Sequence, residues 1–297
     1  MSKKWVVLLS VLLIGLLLFY YFFPFRSVVF VPENRNTNFS LIEGSNMQFY
    51  PNMRFPYSNI SYRMSDCNLK KQNDMELAFS ILGNLTLLDF YSVEENEDIF
   101  VTCDEKLRYD GDYFIAGEGG PTKIINATNF NVVLNGKILL IEDSDCPNPN
   151  IALHELLHVF GFKHSENPNN IMYNITRCEQ TISDDIISLL NDLYSIPSYP
   201  DLVLKDVSIL KKGSFLDINV SVMNYGLRDS GDFVVGVYSE GVLIKELNFD
   251  AIDVGSGRAT FVKNVFTIKP IDEVEVMIET DFPEIDEENK IKLEIKD

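Results

Sequence analysis

A chain of 297 residues, 46% hydrophobic and 23% charged, holds enough apolar material for a sizeable core and for two domains. That excludes a disordered tail, a collagen-like fibre and a small disulfide scaffold. Its 25 basic and 44 acidic residues give a formal charge of −19, with only three histidines and four cysteines. A nucleic-acid binder, which needs a basic face, is excluded, and docking of the folded surface on anionic lipid is disfavoured.

The first element is an uncharged run of 21 residues, 5–25, rich in leucine, valine and aromatics. As a helix it would span roughly 30 Å, the hydrocarbon thickness of a bilayer. Lys3 and Lys4 before it favour a cytoplasmic N-terminus, and Phe19, Tyr20, Tyr21, Phe22 and Phe23 fall where an outer aromatic belt would lie. A cleaved signal peptide would have a shorter apolar core and a small-residue cleavage pattern, and residues 24–29 show none. Residues 1–26 are therefore expected to be a single-pass membrane anchor, with the remainder outside the cell. Six N-x-S/T sequons, at Asn38, Asn59, Asn84, Asn126, Asn174 and Asn219, are compatible with that location.

Residues 26–50 are polar with little period and read as a stalk or a lead-in to the first domain. Residues 59–64 alternate as a strand, and Met75, Ala78, Phe79, Leu82 and Leu85 recur at helical spacing within 70–88. Residues 98–103 form a short buried strand, so strand, helix and strand predict a right-handed crossover joining two parallel strands. Asn135-Gly136 between residues 131–134 and 137–141 predicts a tight hairpin. After Pro147 and Pro149 an apolar run begins at Ile151. Ser183-Asp184-Asp185 then caps a last helix reaching about Tyr194. Beyond Pro197 and Pro200 the texture becomes purely strand-like. Leu216, Ile218, Val220 and Val222 alternate with polar residues, as do Phe233, Val235 and Val237, and Val274, Val276 and Ile278. An antiparallel β-sandwich over residues 200–297 is expected, following a mixed strand-and-helix domain over 27–199.

Four cysteines allow three pairings. Cys67 follows the first strand and Cys103 ends the second. Parallel neighbouring strands finish at the same end of a sheet, which favours Cys67 with Cys103 and leaves Cys146 with Cys178.

All three histidines lie within His154-Glu155-Leu156-Leu157-His158-Val159-Phe160-Gly161-Phe162-Lys163-His164. His154 and His158, four apart, share one helix face and can point two nitrogens at one metal. Glu155 lies about 100° further round, beside the metal, where it can take a proton from water. Gly161 can adopt the left-handed conformation that ends the helix and returns His164 as a third ligand. Three neutral imidazoles with an open fourth position suit one catalytic zinc ion, whereas structural sites are closed and cysteine-rich. A chance match to all five fixed residues is on the order of one in a million for this composition.

This motif resembles that of the metzincin zinc endopeptidases, and its continuation resembles the matrixin branch. Ser165 follows the third histidine. Asn170-Ile171-Met172-Tyr173 is similar to that family's Met-turn, with Met172 beneath the metal, and residues 183–194 resemble its last helix. The resemblance covers about residues 50–196. It implies a twisted mixed sheet with three helices, hydrolysis of protein or peptide substrates, and Glu155 as general base and then acid. It also implies a substrate-binding edge at residues 119–123, with Gly120 and Thr122 as edge candidates, and a pocket wall at 174–181 that includes Arg177, which would favour an acidic or polar group. No cysteine-switch motif is present. Tyr173 follows Met172 directly and not at the two-residue spacing of metzincins with a tyrosine ligand, which argues against Tyr173 as a ligand.

The C-terminal part resembles immunoglobulin-like, cell-adhesion-related modules of bacterial and archaeal surface proteins. The matching stretches are Pro200-Asp201-Leu202-Val203 and Val222-Met223-Asn224-Tyr225-Gly226. Six acids over residues 279–288 could offer calcium oxygen ligands, but no EF-hand spacing supports it and a solvated turn explains them. The whole is thus expected to be an α+β, membrane-anchored, extracytoplasmic zinc endopeptidase with a β-sandwich that spaces it or binds a surface partner. The rival reading is a non-catalytic zinc-containing adhesion protein, in which Glu155 would have no role.

Overall fold

The structure is a computed structural model that describes residues 4–5, 12–15, 36–41, 46–106, 108–110, 113–143, 146–268, 271–286 and 289–295. Residues 1–35 and 36–297 form two separate compact units. In the first, residues 4–5 and 12–15 are helical; the expected anchor otherwise lies outside the described residues. No helix among the described residues is long and apolar enough to cross a membrane.

The second unit begins with a mixed sheet. Strands β1 (Met53–Arg54), β2 (Asn59–Ser65), β3 (Asp89–Ser92), β4 (Ile99–Cys103) and β8 (Phe130–Leu140) run in the order β1-β8-β4-β2-β3. These pairings are all parallel, while β7 (Gly117–Ala127) is antiparallel to β8. A small hairpin, β5 (Arg108–Asp110) with β6 (Tyr113–Ile115), precedes β7. Parallel strands covered by helices should be apolar throughout. Ile60, Ile99, Val101, Val132, Val133 and Ile138 are accordingly buried.

Helix α1 (Leu69–Leu85) starts where the Asn68 side chain accepts the Lys71 amide at 2.9 Å. It buries Met75, Ala78, Phe79 and Leu82 on one face. Met75, Phe79 and Leu82 each stabilise the fold by about 1.5–3 kcal/mol. It stops three residues short of the expected end. Thr86 donates its amide and hydroxyl to the Leu82 carbonyl, freeing residues 89–92 to pair with β2. Helices α2 (Asn150–Val159) and α3 (Asp184–Ser195) complete the expected three.

Two expectations require correction. Asn135-Gly136 is not a turn, because β8 runs straight through it. The glycine permits close helix approach instead: a Cβ at 136 would lie 3.4 Å from the Val159 Cβ and nearer still to its methyl. The real turn is at 127–130, where Thr128 has φ 58° and Asn129 donates to the Ala127 carbonyl. The polar segment 36–50 is not a free stalk. Phe39 and Gln48 are buried, and Asn167 and Asn170 donate side-chain amides to carbonyls of residues 36–38. Phe39 also donates its amide to the Asp185 carboxylate at 2.7 Å, tying this segment to the start of α3.

Disulfides join Cys67 to Cys103 and Cys146 to Cys178, with Cα separations of 4.8 and 5.1 Å. The first follows from topology, since β2 and β4 pair in parallel up to Ser65 opposite Thr102.

Seven antiparallel strands then form a sandwich. One sheet is β13-β10-β9 (Gly257–Phe266, Phe215–Asn224, Leu202–Lys212). The other is β12-β11-β14-β15 (Val242–Phe249, Phe233–Ser239, Glu273–Glu279, Lys290–Glu294). The alternating residues read from the sequence face each other in its core.

The sandwich is joined to the first sheet by more than a linker. Ala127, Phe130 and Val132 form one buried cluster with Leu227 and Val254, against which Ile125, Ile196 and Ile285 pack. Asn224, fully buried, fixes the junction: its amide donates to Arg228 and Ile252 carbonyls and its oxygen accepts the Asp201 and Gly226 amides. Within the acidic run, Glu284 accepts the Leu202 amide and is an internal acceptor. Among the described residues no carboxylate group there is arranged to share a cation.

Candidate active site

Helix α2 is buried along nearly its whole length, with His154 and Glu155 each 6% exposed. It ends where Gly161 takes φ 85° and donates to the His158 carbonyl, and Phe162 donates to that of Leu157. That reversal brings His164 back beside the helix.

The Nε2 atoms of His154 and His164 lie 3.0 and 3.2 Å from that of His158. Tetrahedral zinc with bonds of about 2.0–2.1 Å holds nitrogens about 3.3 Å apart. The three imidazoles can therefore hold a metal ion. Two of the three have their outer nitrogens already engaged. His154 Nδ1 is 2.7 Å from the Ile171 carbonyl and His158 Nδ1 is 2.7 Å from that of Phe162. A carbonyl can only accept, so each Nδ1 carries the proton and each Nε2 lone pair faces the centre. Burial lowers the His154 imidazole to about 3, helped by His158, and burial lowers His158 to about 4. His164 is lowered by burial as well. All three rings are neutral at pH 7, as ligation requires.

The expected Met-turn has a visible job. Ile171, whose carbonyl orients His154, precedes the fully buried Met172, whose amide donates to the Asn170 side chain at 2.8 Å. Met172 in turn accepts the Ser165 amide at 2.8 Å, closing the loop after the third histidine. The lead-in segment completes the surround. Phe49 stacks on His158 with ring centroids 6.2 Å apart, and Lys163 donates to the Met47 carbonyl. Neither contact has a sequence signal, because residues 46–50 carry no period.

The site opens into a cleft of about 920 Å³. Of the expected edge 119–123, Gly119 is among its lining residues. Gly117, Glu118 and Gly119 line it, and a Cβ at 117 would lie 2.8 Å from Glu155 Cγ, one at 119 equally close to Glu155 Cα and C. Gly120 faces open space, and Thr122 is exposed at the bulge between Pro121 and Lys123. Neither of these two edge candidates is among the lining residues. The glycines that matter are the two packed on Glu155. Burial, with the Glu118 charge adding to it, raises the Glu155 carboxyl to about 8. No hydrogen bond among the described residues engages that carboxylate, leaving it aimed at the cleft.

The opposite wall is Tyr173, Asn174, Ile175 and Thr176. Arg177 is not part of it: its guanidinium lies over the Tyr173 ring at 5.9 Å, and its carbonyl accepts the buried Asn150 amide at 2.6 Å. Cys146, bonded to Cys178, anchors this wall to the start of α2.

No protein-family model matches the sequence, and no curated protein matches it. Among solved structures, distant likenesses include zinc metalloproteases and cell-adhesion-like domains. The chain is similar to high choriolytic enzyme 1, a hatching-enzyme zinc protease of the medaka fish Oryzias latipes. That match has 16% identity and a TM-score of 0.30, and covers 47% of this chain and 90% of that one. Myroilysin matches at 14% identity and a TM-score of 0.26, covering 38% and 52%. The CARDB domain of a Pyrococcus furiosus protein, solved with two metal ions, matches at 16% identity and a TM-score of 0.28, covering 33% and 90%.

Proposed function

We propose that this chain is a zinc-dependent endopeptidase. The observation that carries the reading is the convergence of three neutral imidazoles, two of them oriented by backbone carbonyls, with the buried Glu155 carboxyl in one open cleft. A zinc ion held by His154, His158 and His164 would supply Lewis acidity toward the scissile carbonyl and acidify its water to near neutral pH.

The chain's own residues would do the rest. A peptide would lie extended along β7, whose outer edge is unpaired among the described residues. The absent side chains at 117 and 119 let helix and strand approach closely enough to put Glu155 beside that peptide. Held in its ionised form by the charge of a zinc ion beside it, Glu155 would take the water proton as general base and return it to the leaving amine. A non-catalytic site with the same imidazoles would have no use for a carboxylate buried at such cost beside them. Residues 5–25 would hold the peptidase at a membrane, and the sandwich would face a surface partner.

Glu155→Ala is the direct test. It should retain one zinc by mass spectrometry, since all three ligands remain, while peptide cleavage falls about 10²–10⁴-fold. Equal cleavage by variant and wild type would end the catalytic reading.

A further inference from the structure

The charge of the cleft is one-sided. Glu118, Glu142 and Asp143 line it, and no lysine or arginine among the described residues does. The three acids cluster at one end. The Ala116 carbonyl accepts the amides of Ile141 and Glu142, which brings the end of β8 and the residues after it against the start of β7. The opposite wall, 173–176, is uncharged, and Arg177 is turned onto Tyr173.

Nearby cations leave this field largely uncancelled. Glu142 has no ion pair among the described residues. Asp143 lies 4.0 Å from Lys71, but that ammonium is buried and donates to the Asp104 and Ile141 carbonyls at 3.0 Å. Glu118 meets Arg108 at 3.2 Å with both side chains about half exposed, where an ion pair is worth little and is readily exchanged. Glu118 also stands between Gly117 and Gly119 on the edge strand. A peptide added to that edge would set a side chain directly across from it, and opposite charges at such cross-strand positions attract.

Resting on the peptidase reading, we propose that the cleft selects peptides carrying lysine or arginine beside the scissile bond, with Glu118, Glu142 and Asp143 as the residues that select them. The uncharged wall then receives an uncharged residue on the other side of the bond. The acid-rich chain adds a field that draws basic peptides toward the cleft and repels acidic ones.

The test uses the full, zinc-loaded chain and a set of quenched fluorescent peptides identical except for Lys, Gln or Glu at positions flanking one bond. The ratio of kcat/KM for the Lys peptide to that for the Gln peptide should be about tenfold, from about twofold for each of the three acids, with the Glu peptide lowest. That ratio should shrink in about 1 M salt, where the screening length is about 3 Å. In the triple variant Glu118→Gln, Glu142→Gln, Asp143→Asn it should approach one. A Lys peptide cut no faster than the Gln peptide, or a ratio unchanged in the triple variant, would overturn the proposal. If no peptide is cut, the peptidase reading fails by itself. Fluorescence anisotropy of the same peptides on the zinc-loaded Glu155→Gln protein then decides selection: tighter Lys binding supports it, and equal binding overturns it.

Discussion

Gly119→Ala tests whether the close approach of β7 to α2 sets the position of Glu155. The new methyl would sit 2.8 Å from both Cα and C of Glu155, and nearer to its carbonyl oxygen. Carbon atoms are comfortable at about 3.5 Å or more, so strand and helix must part by roughly 0.7 Å. The obstacle is the backbone of a buried helix, which cannot swing aside as a flexible side chain would. Overpacking of this kind costs about 1–3 kcal/mol, or about 2–8 °C in Tm for a chain of this size. A shift approaching 1 Å in a reacting group costs up to about 10²-fold in turnover. The assay pairs thermal unfolding with cleavage of one peptide at saturating zinc, and Gly120→Ala is the control, because a methyl there meets nothing within 4 Å. Expected are a 10- to 100-fold loss for the first variant and at most about a twofold change for the second. Wild-type Tm and turnover in Gly119→Ala would refute the packing argument.

Removing the second disulfide by Cys146→Ser with Cys178→Ser should destabilise the chain by about 3–4 kcal/mol, from the loop entropy of a 32-residue separation. It should also raise KM, because the wall at 173–176 loses its tie to α2; denaturant unfolding and peptide kinetics measure the two effects. At the junction, burial raises the carboxyls of Asp201 and Glu284 from their ordinary 3.8 and 4.5, with Asp286 adding to the first and Asp201 to the second. Raised carboxyls favour the protonated fold, so their contribution is complete below the unfolded values and is lost as pH rises through the folded ones. The Tm advantage of Asp201→Asn over wild type should therefore grow from pH 4 toward pH 7, and a pH-independent difference would contradict this.

The histidine constellation was legible because its geometry is local. A helix places residues four apart on one face, and Gly161 supplies the reversal within three more. The strands and helices with a clear period were legible for the same reason, as were the cysteine partners once β2 and β4 were taken as parallel. The misreadings came from residues whose role is set by something distant. Gly136 is a contact for Val159, not a turn, and the sequence around it is the same in either case. Gly117 and Gly119 matter through Glu155, some 36 residues later, and no pattern in the strand marks them above Gly120. Phe39 and Gln48 bury a segment whose composition is otherwise that of a free stalk.

Strand β7 touches Glu155 near its first residues and enters the apolar cluster beneath the sandwich with its last, Ile125 and Ala127. The two halves are therefore not interchangeable beads on a string. Evolution could not swap the C-terminal module for an arbitrary one without supplying a new apolar footprint. Otherwise Phe130 and Val132, 6% and 0% exposed now, would face water at about 1.5–3 kcal/mol each. Loop 253–256 must keep its shape as well. Gly255, at φ 71°, rests on Ile125 so closely that a side chain there would push on the same strand that lines the cleft. Lineages descended from this arrangement should show the module and the histidine-bearing domain inherited together, with change concentrated on the sandwich faces away from that footprint.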